Sequence, residues 1–149
     1  YLVSKGILGR PILYLSDFFE THRGLYYDNL MNVREKNDIN QWFKFFLVGI
    51  IETTKKGIST FDSILQMQKQ NDTKIQSLGS RAANAQKITN YLYQRPVINA
   101  DKVSEISGIS MPSAYKLIGD MEEIGILKEV TGGQRGRVYV FEDYIKLFK

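Results

Sequence analysis

The run from Val97 to Phe141, VINADKVSEISGISMPSAYKLIGDMEEIGILKEVTGGQRGRVYVF, most constrains what this chain can fold into. Asn99 sits where a helix N-cap is needed, and Val103 and Ile106 then share one helical face. Gly108 supplies a turn, and Ile109 beside it is placed to plug a core. Ser110 is the expected cap of a longer helix, in which Ala114, Leu117, Ile118, Met121 and Ile124 recur at i, i+3, i+4, i+7 and i+10. Pro112 falls in its first turn, where a missing N–H costs nothing, and Gly125 ends it. Ile126 to Val130 and Arg137 to Phe141 alternate as two strands joined by the TGGQRG loop. Upstream, Ile88, Leu92 and Tyr91 mark the inner face of another helix, stopped by Pro96. A last helix, Tyr144 to Phe148, is expected to fold back on the rest.

Helix, glycine turn, helix and glycine-rich hairpin in that order read as a winged helix-turn-helix. Such a domain offers one helix and one loop to a partner, often the major groove of double-stranded DNA and its flanking phosphates. With Ala114, Leu117, Ile118 and Met121 turned inward, Met111, Pro112, Ser113, Tyr115, Lys116, Gly119 and Asp120 are left outward. Ser110 and Ser113 are candidates for phosphate or base edges, Lys116 for a phosphate, and Tyr115 for either. Gln134, Arg135 and Arg137 are the wing candidates. Against this, the second helix carries one lysine, no arginine, and Asp120, Glu122 and Glu123 towards its end. A protein partner is therefore the standing alternative to DNA.

Charge does not decide between them. The net charge is +4 over 149 residues, and ten cations against eight anions on each side of residue 80 leave +2 in either part. Neither part is a basic tail. There is no cysteine, which excludes disulfides and thiolate metal sites. No apolar run reaches the roughly 18 residues that span a bilayer. No membrane partner is expected, and a cytoplasmic location fits. The opening YLVSKGIL reads as the end of a helix already under way, so the chain is expected to be a piece of a longer protein.

The first part reads as helical. Leu25 to Lys36 carries Tyr26, Leu30 and Val33 on one face, and Asn37-Asp38 closes that helix and caps the next. Gln41 to Lys56 is so dense in apolar groups (Trp42, Phe43, Phe46, Leu47, Ile50, Ile51) that a helix buried between others is expected, ended by Gly57. Ser59 or Thr60 then begins a polar helix with Ile64, Met67, Ile75 and Leu78 as sparse anchors, and Gly79-Ser80 is the expected joint.

Catalytic signals are sparse. His22 is the single histidine, and its neighbours form no nucleophile–base arrangement, so an exposed helix-end histidine is expected. One histidine and no cysteine leave only carboxylates for a metal. GILGRP has glycines but no phosphate-loop lysine.

The run from Lys5 to Ile50, KGILGRPILYLSDFFETHRGLYYDNLMNVREKNDINQWFKFFLVGI, resembles the C-terminal half of a Fic domain, the fold of the protein AMP-transferases. Many such proteins also end in a winged helix with a pattern like TGGQRGRVYVFEDYIKLF, so the resemblance covers nearly the whole chain. It implies a parent that transfers AMP from ATP to a protein hydroxyl with the help of Mg²⁺. The family's motif, HPFxxGNGRxGR, is not in these residues, and His22 is not its histidine. The resemblance therefore implies no catalytic residue here and no cofactor held by this chain alone. It also implies that a missing N-terminal Fic half is a partner. Tyr26 and Tyr27 match a tyrosine pair that lies by the adenine in relatives, and both would serve a nucleotide only with that half. Read as packing, Tyr26 is on the apolar face and Tyr27 is the free ring.

The expected architecture is thus mainly α: a helical Fic-core remnant over 1–57, a connecting helix over 58–80, and a winged helix-turn-helix with a small two-stranded wing over 81–149. The function expected is that of a C-terminal Fic-protein region carrying a DNA- or protein-binding module. A free-standing transcriptional regulator, homodimeric through its N-terminal helices, is the alternative.

Overall fold

A computed structural model describes residues 5–6, 15–133 and 136–148. The helix end expected at the start of the chain falls mostly outside these residues. The fold is mainly helical with one small antiparallel sheet, and it divides into two compact units, Tyr1–Phe61 and Asp62–Lys149. Among the described residues no helix is long and apolar enough to cross a membrane.

In the first unit, α1 (Leu15–Thr21) and α2 (Arg23–Lys36) pack with the start of α3 (Ile39–Gln76). Asn37 takes the left-handed conformation, φ 52°, that closes α2, and the Asp38 carboxylate accepts the Gln41 N–H at 3.1 Å to cap α3. Both features follow from the Asn37-Asp38 pair. The core of this unit is aromatic: Phe18 lies 5.2 Å from Phe45, and Phe19 lies 5.1 Å from Tyr26 and 6.3 Å from Trp42. His22 is half-buried rather than exposed, with its ring 4.3 Å from Phe18 and Nδ1 3.0 Å from the Phe18 carbonyl. The inner face of α2 also differs from expectation. Asn29 is buried and donates to the Leu25 carbonyl at 2.8 Å, while Leu30 is exposed.

Two expectations about α3 are corrected. It does not end at Gly57 but continues to Gln76. A glycine inside a helix costs only about 1 kcal/mol, which the flanking turns absorb. Nor is the apolar segment buried between other helices. One face, with Trp42, Phe45, Phe46 and Gly49, meets the aromatic core, while Phe43, Leu47, Ile51, Ile58 and Phe61 are 52–60% exposed. These five recur at i, i+4, i+8, i+15 and i+18 along one side of the helix, interrupted at Thr54.

In the second unit the end of α3 leads through a 3-10 turn, Gly79–Arg81, into α4 (Ala82–Leu92), β1 (Val97–Asn99), α5 (Ala100–Ser107), α6 (Met111–Glu123), β2 (Lys128–Glu129), β3 (Val138–Val140) and α7 (Glu142–Lys146). This helix–strand–helix–helix–hairpin order is that of a winged helix-turn-helix. Ile88, Leu92, Val103, Ala114, Leu117, Ile118 and Met121 form its core as the spacing implies, joined by Ile75, Ile98, Ile126, Tyr139 and Phe141. Asn99 accepts from the Lys102 N–H at 2.9 Å, and Gly108 closes α5 with φ 66°.

β2 and β3 form the expected two-stranded wing, and β1 joins it to make a three-stranded sheet in the order β1-β3-β2. Ile98 faces Tyr139 across one ladder and Glu129 faces Tyr139 across the other. Helix α7 starts two residues earlier than expected and ends at Lys146. Its Tyr144 hydroxyl donates to the Tyr93 carbonyl at 3.0 Å, which fastens it to α4.

Glu142, at the start of α7, accepts from Lys128 and Lys146 Nζ, each at 2.8 Å. These bonds hold its carboxyl down from 4.5 to about 2. A depressed folded-state value means the contribution to stability is present above pH 4.5 and is lost as pH falls towards 2. In a carboxyl NMR titration Glu142 is expected to keep its charge until about pH 2. A midpoint at the ordinary carboxylate value would overturn this.

Candidate nucleic-acid interface

Helix α6 has two exposed flanks, set by its 3.6-residue period. Pro112, Tyr115 and Gly119 share one flank, and Ser113, Lys116 and Asp120 share the other. Tyr115 is 51% exposed, and a Cβ at Gly119 would meet nothing within 4 Å, so the first flank is open to close approach. Ser110 occupies the N-cap position, but its side chain caps no backbone N–H. Instead its hydroxyl lies 3.0 Å from that of Ser113. Short hydroxyl side chains one turn apart satisfy each other here, which corrects the expected Ser110 cap. No ion pair holds Lys116 among the described residues.

The acidic end of α6 is occupied within the domain. Asp120 forms an ion pair with Arg81: Arg81 Nη2 donates to Asp120 Oδ1 at 3.1 Å, and Nε meets Oδ2. The Asp120 side chain is only 15% exposed. Glu122 accepts the Glu129 N–H at 3.1 Å, tying α6 to the wing. Of the three acids that weighed against an anionic partner, two are thus committed to internal bonds, and Glu123 remains exposed.

The wing turn is organised by Glu129. Its carboxylate accepts from the N–H groups of Thr131 and Gly132 at 2.8 and 2.9 Å and from the Thr131 hydroxyl. These donors, the Thr131 hydroxyl first, hold its carboxyl below the usual range. Arg137 Nε donates to the Gly133 carbonyl at 2.9 Å, so this arginine is partly folded onto the wing. Gln134 and Arg135, the other wing candidates, lie outside the described residues.

Beside α6 is a cleft of about 300 Å³ lined by Arg81, Asn84, Ile109, Ser113, Lys116 and Leu117. It brings two expected site residues, Ser113 and Lys116, together with Arg81 and Asn84, which sequence spacing did not indicate. Arg81 precedes α4 by one position, and nothing local announces that it meets a helix thirty-nine residues away.

Tyr26 and Tyr27 lie in the other unit, on α2. The Tyr26 ring is 5.1 Å from Phe19 and 5.7 Å from Trp42, so it is packed. Tyr27 is 52% exposed with the Arg23 guanidinium 5.9 Å from its ring centroid. The described residues contain no group of three or more His, Cys, Asp or Glu arranged to hold a metal ion. Of this tyrosine pair, Tyr27 is the one with an open ring face. No family model matches the chain.

Proposed function

We propose that the winged helix of residues 81–149 binds double-stranded DNA through α6 and the wing, in the cytoplasm. The observation that carries this is the state of charge on α6. Asp120 is neutralised by Arg81, and the charges of Glu122, turned to the wing backbone, and Glu123 lie at the far end of the helix, while Lys116, Ser113 and Tyr115 stay outward towards its N-terminal end. The N-terminal part of α6, with its one acid paired, can meet an anion.

We further infer that residues 1–57 are the C-terminal part of a Fic-type core, and that its complementary half covers the stripe Phe43, Leu47, Ile51, Ile58 and Phe61, which runs on into the connecting helix. The similarity of Lys5 to Ile50 to that fold supports this, as does the stripe, since large exposed apolar side chains gathered on one side of a helix mark an interaction site. The transfer of AMP from ATP, with Mg²⁺, would belong to the half bearing HPFxxGNGRxGR. This chain would contribute the open face of Tyr27. The coding sequence upstream of Tyr1 checks this reading: the motif is expected there, and its absence overturns it. In the regulator alternative the same stripe joins two copies. Sedimentation of the isolated chain as a monomer would exclude that.

Duplex binding is tested by fluorescence anisotropy across a salt series. Three phosphate contacts, from Lys116, Arg135 and Arg137, give a log–log slope of about −2.7 and an affinity loss of roughly 40-fold between 50 and 200 mM salt. No detectable duplex binding at 50 mM salt would sink the DNA reading and leave the protein-docking one.

A further inference from the structure

We propose that the cleft between Arg81 and α6 seats one phosphodiester of the duplex backbone, with Lys116, Arg81 and Asn84 as its donors. This rests on the duplex-binding reading and adds a defined contact to it.

The chemistry of the lining is amphipathic in the way a sugar-phosphate unit requires. Ile109 and Leu117 give an apolar floor, while Arg81, Asn84, Ser113 and Lys116 are polar. A volume of about 300 Å³ admits a phosphate with its sugar. Arg81 commits Nε and Nη2 to Asp120. A guanidinium has five N–H donors in a planar fork, so the rest of the fork remains for a ligand while the carboxylate holds its plane. Asp120 is then a positioning residue for Arg81 and not an opposing charge. Two cations less one carboxylate leave one positive charge, which matches the single negative charge of a phosphodiester.

The geometry also divides labour on α6. Ser113 and Lys116 lie on the cleft side and contact the backbone. Pro112, Tyr115 and Gly119 form the other flank, which is left to face base edges. Phosphate contacts set register, and base contacts carry sequence information. Lys116 is thus expected to matter equally on every sequence.

The test compares wild type, Lys116→Gln, and the double variant Arg81→Gln/Asp120→Asn in the same salt series. Removing Arg81 and Asp120 together leaves no unpaired carboxylate. Lys116 is exposed and has no ion-pair partner among the described residues, so its variant keeps the fold even if the double variant does not. Lys116→Gln is expected to lower the salt slope by about one, whereas the charge-neutral double variant keeps the slope and loses the Arg81 hydrogen bonds; both weaken binding to all duplexes alike. Duplexes carrying a single methylphosphonate, scanned along each strand, should reveal one position at which wild type and Lys116→Gln bind equally. If wild type binds duplex but Lys116→Gln keeps its full slope, or no methylphosphonate position equalises the two, the cleft is not a phosphate seat and the duplex reading stands. If wild type binds no duplex, both fall together.

Discussion

Phe141→Ala is expected to cost the second unit about 3–5 kcal/mol, a large part of the roughly 5–10 kcal/mol that holds a domain of this size together. Phe141 is 1% exposed. Its ring lies 5.5 Å from Tyr93 in an edge contact and 5.4 Å from Tyr144 in a stacked one. Truncation opens a cavity in the core and removes two aromatic pairs, each worth about 0.5–1.5 kcal/mol beyond its buried area. Its backbone N–H also donates to the Pro96 carbonyl at 2.9 Å, so the residue sits where β3, α7 and the end of α4 converge. Urea unfolding followed by circular dichroism should show a lower midpoint with an unchanged slope. Phe148→Ala is the control: Phe148 is exposed, and its loss should cost less than about 1 kcal/mol. Equal effects from the two substitutions would contradict this account of the core.

Gly49→Ala and Gly57→Ala should have opposite signs, although both put a better helix former into α3. A Cβ at Gly49 would stand 2.6 and 2.7 Å from two carbons of the Phe18 ring. That ring is buried against His22 and Phe45 and has little room to withdraw. The overpacking cost, about 1–3 kcal/mol, offsets or exceeds a helix-propensity gain of about 1 kcal/mol. A Cβ at Gly57 would meet nothing within 4 Å, so Gly57→Ala should add up to about 1 kcal/mol. Trp42 is the one tryptophan and belongs to the aromatic core of this unit, so its fluorescence reports both variants. Stabilisation by Gly49→Ala would mean that Phe18 does not rest on this helix. Destabilisation by Gly57→Ala would mean that α3 breaks there.

These glycines show how far sequence reasoning reaches. A glycine after an apolar run reads as a helix end, and Gly108 and Gly125 do end helices, with φ of 66° and 72°. Gly57 obeys no such rule, because the residues after it continue a helix whose last turns carry Ile75 into the second core. Faces were legible where two sides of a helix differ sharply in polarity. On α6, Ala114, Leu117, Ile118 and Met121 are buried as spaced. On α2 the pattern misled, because Asn29 hydrogen-bonds its own helix and can be buried while Leu30 is not. On α3 apolar residues on every side implied burial, yet one side is uncovered. Hydrophobicity states what a surface prefers and not what covers it.

The helices of the second unit, the inward faces of α4, α5 and α6, and the caps at Asn37-Asp38, Asn99 and Gly108 were all legible in the amino-acid order. Each of these depends on groups within about four positions of one another, and helix periodicity and capping are interactions of that range. Other features arise from contacts between distant positions. Val97–Asn99 is too short to show a strand period and becomes one by pairing with Val138–Val140. Asp120 reads as an exposed acid on α6 until Arg81 meets it from the start of α4. Whether a charge remains available to a partner depends on what it meets through space, and that pairing is set by the fold.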